Sequence, residues 1–168
     1  IKEKLISYFK LDPSDPTPLK KLKILDIGCG GGLLCEPLSR LGASMTGIDA
    51  SKNNIEVAKI HSKEMGLNIE YQHCPPENLN FKEKFDVIVL DCRYVRYECV
   101  LPAINCVADG GMIVLDNSEW WRKSKEALDK CDDFIPIHLI RIISGVLICY
   151  KVRRVQSSGT RSWLNVQI

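Results

Sequence analysis

An α/β fold with a mostly parallel, doubly wound sheet is predicted by three features of the sequence. Apolar runs at 22–27, 43–49, 68–73, 85–91 and 110–117 alternate with stretches of helical pattern. The first run opens straight into glycines at 28, 30, 31 and 32, within "KILDIGCGGG". Acids then close several runs, with Asp49, Asp91 and Asp116 at their ends. In such sheets ligands sit beyond the carboxyl ends of the strands, where the strand order reverses.

The elements follow in order. Ile1, Leu5, Ile6 and Phe9 share one helical face, so residues 1–10 read as an amphipathic helix. "LDPSDPTPLKK" carries three prolines and reads as a loop. After the first strand, "GGLLCEPLSRLG" is predicted as a helix closed by Gly42, with Pro37 in its first turns. "ASMTGID" is the second strand. The next helix starts at its N-cap Ser51 and stops at Gly66. "NIEYQH" is the third strand, "CPPENLNFKEK" a loop with a helical turn, and "FDVIVLD" a buried fourth strand. Residues 92–108 read as helix despite Pro102, "GGMIVLDN" as the fifth strand, and "SEWWRKSKEALDKC" as another helix. Runs 134–143 and 145–152, joined at Ser144-Gly145, are predicted as buried strands, and "RSWLNVQI" competes with them for the last place in the sheet.

At 168 residues the chain suits a single domain, 1–168, with a sizeable core. A net charge of +2 gives no field that argues for nucleic acid. The eight cysteines include no CxxC pair and read as reduced and structural. The charged opening predicts no signal peptide, and His138 and Arg141 interrupt the longest apolar stretch, against a membrane span. A cytoplasmic location is expected, with membrane association or a mitochondrial matrix as alternatives.

The glycine turn decides between ligands. No Lys-Ser or Lys-Thr follows it, which argues against a triphosphate loop. The sixth position from Gly28 is Leu33, where a dinucleotide fingerprint needs glycine. Asp26 would repel a pyrophosphate but suits a cationic ligand, directly or through water. Asp49, about 20 residues after the turn, can accept both hydroxyls of a ribose. Together they favour a nucleoside with a cationic or zwitterionic tail, as in S-adenosylmethionine.

"LKILDIGCGGGLLCEPLSRLGASMTGIDAS", residues 22–51, resembles the class I S-adenosylmethionine-dependent methyltransferases. It looks most like the O-methyltransferases of ubiquinone biosynthesis, and the likeness runs over about residues 1–90. The resemblance implies a Rossmann-like, seven-stranded methyltransferase fold. It sets the backbone at Gly28 and Gly30 against the methionine part and Asp49 against the ribose. Pro75-Pro76 lack the N–H groups the family offers to adenine, leaving Glu77 or Asn78 to substitute. Beyond residue 90 the ubiquinone pattern stops. Asp91, Asp116 and Asn117 instead resemble the strand-end ligands of cation-dependent, catechol-type O-methyltransferases, which would hold Mg²⁺. The same three residues also suit helix capping, and Arg93 and Tyr94 stand where that family places a lysine base. "DCRY" and "DNSEWW" are similar to stretches of other small bacterial methyltransferase domains as well.

Further candidates carry blander readings. His61 is expected to be solvated, His73 to be an ordinary strand-end histidine, and His138 a core or edge residue. Trp120 and Trp121 suit either an acceptor pocket or helix packing. Cys92, Cys99 and Cys106 recur every seven residues and read as one helical face. The expected activity is methyl transfer to a small-molecule acceptor with an aromatic hydroxyl, with no nucleic-acid partner. A peripheral membrane contact follows if the acceptor is a lipid quinone. The rivals are an NAD-binding oxidoreductase and a non-catalytic domain that binds the cofactor or a partner.

Overall fold

The computed structural model describes residues 1–75, 78–92, 96–115, 123, 126, 130, 134–137 and 149–153. Five parallel strands form the body of the sheet: β1 (Lys23–Ile27), β2 (Ser44–Asp49), β3 (Glu70–His73), β4 (Phe85–Leu90) and β5 (Val107–Leu115). Their order is β3-β2-β1-β4-β5. It reverses between β1 and β4, which fixes the switch point there. Two further strands, β6 (Phe134–Ile137) and β7 (Cys149–Arg153), extend the sheet beyond β5, with β7 antiparallel to both neighbours. The predicted helix 118–131, the Ser144-Gly145 junction and the run 161–168 lie largely or wholly outside the described residues.

Alternation along the central strands sorts the core into two layers. Ile24, Val87, Val89, Met112 and Val114 pack on one face with Leu5, Leu19, Leu38 and Ile55. Leu25, Ile27, Ile88, Leu90, Ile113 and Leu115 pack on the other with Cys99, Val100 and Ala103. Burial on both faces is what parallel strands covered by helices require. The first layer is covered by α1 (Lys2–Tyr8), α2 (Cys35–Arg40) and α3 (Lys52–Glu64), the second by α4 (Arg96–Cys106). Tyr8 ties α1 to the sheet by donating its hydroxyl to the Gly110 carbonyl at 3.0 Å.

Helix boundaries follow local chemistry. α3 starts where the Ser51 hydroxyl accepts the Asn54 N–H at 3.3 Å. It ends in a Schellman turn: Gly66 N–H reaches Lys63 O and Leu67 N–H reaches Ser62 O, with Gly66 at φ +66°. α2 ends the same way at Gly42. Pro37 is the third residue of α2, where no N–H is needed.

Three boundaries differ from the sequence reading. Residues 31–34 are turns rather than helix, because Gly32 holds φ +90°. α4 starts at Arg96, not at 92, so Cys92 lies ahead of the helix and only Cys99 and Cys106 share it. β5 starts at Val107, three residues before the predicted Gly110, through a register irregularity opposite Phe85–Val87. Gly110, at φ +74°, is part of that irregular stretch rather than a strand start.

Candidate functional site

The carboxyl ends of β1, β2 and β4 surround a cavity of about 580 Å³ at the switch point. Its wall carries Ile27, Gly28 and Gly30 from the first turn, and Ile48, Asp49, Ala50, Ser51 and Asn54 from the second. Cys74 and Leu79 follow β3, and Asp91, Cys92 and Cys99 complete the wall. Main-chain bonds pin the rim. Gly28 and Cys29 both donate to Ile48 O, at 2.8 and 3.0 Å, Asp91 N–H donates to Ile27 O, and Cys74 N–H to Asp49 O.

The two predicted glycines do different work. At Gly28 a Cβ would lie 2.6 Å from the Cys92 N and Cα, so the close approach there is to the protein's own backbone just after β4. At Gly30 a Cβ would meet nothing within 4 Å, and this is the open cradle in the wall. Its φ of +54° still disfavours a side chain. Gly30→Ala is therefore expected to lower folding stability by only about 1–2 kcal/mol while placing a methyl in the cavity. Urea unfolding beside ligand titration checks that separation.

Asp49 is the fixed acceptor of the site. Its Oδ2 accepts the Gly30 N–H at 3.0 Å. Its Oδ1 accepts the Ser51 N–H at 2.8 Å and the Asn54 side-chain amide at 3.2 Å. The carboxylate thereby ties the glycine turn to the start of α3 and faces the cavity. A carboxylate has about four acceptor lone pairs, so capacity remains for a ligand hydroxyl. Two wall residues escape a reading of the sequence although each carries a signal. Asn54 stands three residues after the N-cap Ser51, and Leu79 is an apolar residue in a polar loop.

Asp26 is not on the cavity wall. It shares the strand face of Ile24, points toward α2, and is 2% exposed, with the Cys35 thiol donating to its Oδ2 at 3.4 Å. Burial pushes its pKa up to about 7, with the charges of Asp91 and Asp49 adding to the rise and the Cys35 bond opposing it. Direct contact with a ligand, one of the two routes expected for Asp26, is therefore not what its position offers.

The remaining predictions sort as follows. Asp91 is exposed and lines the cavity, whereas Glu77, Asp116 and Asn117 lie outside the described residues. The β4–β5 register pairs Leu90 with Leu115, the residues just before Asp91 and Asp116. Among the described residues no group of three His, Cys, Asp or Glu side chains is arranged to hold a metal ion. His73 bonds Ala50 O at 3.0 Å and does not line the cavity. His61 is exposed, as expected, and also meets the Glu36 carboxylate, which takes Arg40 at 3.1 Å. Leu33 occupies the third position of the failed dinucleotide fingerprint and is 91% exposed, away from the cavity wall. His138, Trp120 and Trp121 fall outside the described residues. Among the described residues no helix is long and apolar enough to cross a membrane.

The chain and its fold are similar to known proteins. The family model described as "Methyltransferase domain" matches residues 24–109. Over 89 residues the chain is 62% identical to a ubiquinone biosynthesis O-methyltransferase of Pelagibacter ubique, covering 53% of this chain and 37% of that protein. It is 58% identical over 90 residues to the enzyme of that name from Bartonella bacilliformis, covering 53% of this chain and 36% of the relative. The matches thus span little more than a third of these relatives' length. Among solved structures, a Thermus thermophilus 16S rRNA N2 G1207 methyltransferase, in complex with AdoMet and guanosine, aligns with a TM-score of 0.69 at 20% identity. That alignment covers 83% of this chain and 39% of the other. The magnesium protoporphyrin IX methyltransferase of Synechocystis PCC 6803, with bound SAM, gives 0.64 at 16% identity, covering 79% and 70%.

Proposed function

Because the chain belongs to the methyltransferase domain family and carries its class I fold, we propose that it binds S-adenosylmethionine in the switch-point cavity. We propose further that it takes part in methyl transfer to the hydroxyl of a small aromatic acceptor, ubiquinone-precursor-like or catechol-like. The observation that carries this reading is the Asp49 carboxylate, held at the cavity wall by the Gly30 and Ser51 N–H groups.

When bound, S-adenosylmethionine supplies an electrophilic methyl on a sulfonium centre. The chain's own residues bind and orient. The Asp49 Oδ2 offers a free lone pair to a ribose hydroxyl. Its Oδ1 gains another when the exposed Asn54 amide, its longest bond at 3.2 Å, turns away. Ile27, Ile48 and Leu79 supply apolar wall, and Gly30 leaves its backbone open to the ligand. Asp49 and Asp91 line the cavity with acidic groups, which favours a cation over a pyrophosphate. The ubiquinone biosynthesis enzymes that share residues of this half support the acceptor class. The Leu90–Leu115 pairing is compatible with Asp91, Asp116 and Asn117 holding Mg²⁺ to lower the acceptor hydroxyl's pKa. Glu77 or Asn78 would serve as the adenine partner. A membrane contact, and the compartment, follow the acceptor if it is a lipid quinone.

Asp49→Ala is expected to weaken S-adenosylhomocysteine binding by about 1–3 kcal/mol, the cost of ribose hydroxyls left unpaired. Titration calorimetry on the two proteins measures it, and equal affinities would overturn the assignment of Asp49. Labelled methyl transfer to a catechol, with and without Mg²⁺, tests the acceptor class and the cation. Cofactor binding with no transfer in either case would favour a non-catalytic domain.

A further inference from the structure

Three cysteines line the cavity: Cys74 after β3, Cys92 after β4, and Cys99 in the first turn of α4. Two of them nearly touch. The Cys92 thiol donates to the Cys99 sulfur at an Sγ–Sγ distance of 3.5 Å. Cys92 is 9% exposed and Cys99 1%. The seven-residue spacing that suggested one helical face has another cause, because Cys92 precedes the helix and meets Cys99 across the gap between β4 and α4. None of the described cysteines is in a disulfide. A disulfide needs an S–S distance of about 2.05 Å, so a closure of about 1.5 Å would join this pair.

We propose that Cys92 and Cys99 form a dithiol modification site, which a low-molecular-weight disulfide entering the cavity oxidises to an intramolecular disulfide, weakening cofactor binding there. The chemistry runs in two exchanges. The Cys92 sulfur attacks one sulfur of the small disulfide as it loses its proton, forming a mixed disulfide and expelling one small thiolate, which takes up that proton. The Cys99 sulfur then attacks the Cys92 sulfur, and the second small thiolate leaves, with the Cys99 proton passing to a leaving thiolate. Two protein thiols are oxidised and one external disulfide is reduced to two thiols. The order of attack follows from position. Cys92 is 9% exposed against 1% for Cys99, so a small disulfide in the cavity meets Cys92 first, with Cys99 behind it to resolve the adduct. Cys29 and Cys35 differ in setting: Cys35 is turned to Asp26 beneath the glycine turn, and neither lines the cavity.

The effect on affinity rests on the adenosyl reading of the cavity, whereas the disulfide does not. The test uses the full chain in buffers of oxidised and reduced glutathione, with remaining thiols capped by iodoacetamide and peptides mapped by mass spectrometry. The expected result is a Cys92–Cys99 crosslink with the loss of two hydrogens. In Cys99→Ser a stable glutathione adduct on Cys92 should replace it. Cys106→Ser, altered farther along α4 at a thiol that bonds the Phe81 carbonyl, should retain the crosslink. A wild-type adduct on Cys92 that never resolves, or a crosslink to Cys74 instead, would overturn the proposal. The oxidised protein is expected to bind S-adenosylhomocysteine about tenfold more weakly or worse, with recovery on adding dithiothreitol. Equal affinity in both states would overturn the link to binding. Absence of binding to the reduced protein would overturn the adenosyl reading and the link with it, and the crosslink would still decide the dithiol.

Discussion

Gly28→Ala is expected to remove about 2–5 kcal/mol of folding stability, the sum of left-handed backbone strain and a steric overlap that cannot relax cheaply. Gly28 sits at φ +91°, and its new methyl would lie 2.6 Å from the Cys92 N and Cα and 2.9 Å from the Asp91 carbonyl carbon. These are backbone atoms at the end of a central strand, not the tip of a flexible side chain. The same strand end is bonded back to β1, since Asp91 N–H donates to Ile27 O. Relieving the overlap means parting β1 from β4, and those two strands define the cavity. A domain of this size has about 5–15 kcal/mol of stability in total, so the variant should unfold at a much lower urea concentration or fail to accumulate. A variant as stable as the parent would show that the Asp91–Cys92 backbone does not pack against Gly28 as described.

The second large effect is one of pH. Burial raises the folded-state pKa of Asp26 from 3.8 to about 7. The folded chain therefore holds a proton that the unfolded chain releases near pH 4. Stability associated with Asp26 is fully present below about pH 4 and is lost as the pH rises toward 7. The loss reaches at most about 4 kcal/mol, since each tenfold change in proton affinity is worth about 1.4 kcal/mol. Asp26→Asn keeps a neutral side chain at every pH and so lacks this slope. Urea unfolding of both proteins from pH 4 to pH 8 isolates the group, because other titrating residues are common to the two. The variant should gain on the parent as the pH rises. A constant difference across that range would contradict the burial of Asp26.

Much of this arrangement is legible in the sequence, and the failures have physical reasons. The first strand, its glycine turn and the acid closing the second strand are readable because each is a short local pattern. Ser51 and Gly66 mark the ends of α3 for the same reason, through a side-chain cap and a left-handed residue. Asp26 is readable as a strand residue, but the side of the strand it takes is not. Its position near the strand tip suggests the cavity, while the two-residue alternation of β1 turns it to the face of Ile24. Gly28 suggests ligand contact, yet the group it accommodates is a backbone more than sixty residues away. No local pattern encodes such a crossing. The start of β5 escapes for a related reason, since an irregular register breaks the period on which sequence reading depends, and Cys92 keeps the seven-residue spacing of Cys99 and Cys106 while standing outside α4.

The carboxyl ends of β1 and β2 are proposed to hold an adenosyl nucleoside by its sugar, and the proposed methyl transfer depends on that. A crystal structure of the chain with S-adenosylhomocysteine tests it most directly. The expected result is ribose hydroxyl oxygens within hydrogen-bond distance of the Asp49 carboxylate, with the Asn54 amide moved off Oδ1. A nucleoside bound elsewhere, or an Asp49 that keeps its three protein donors and touches no ligand, would contradict it.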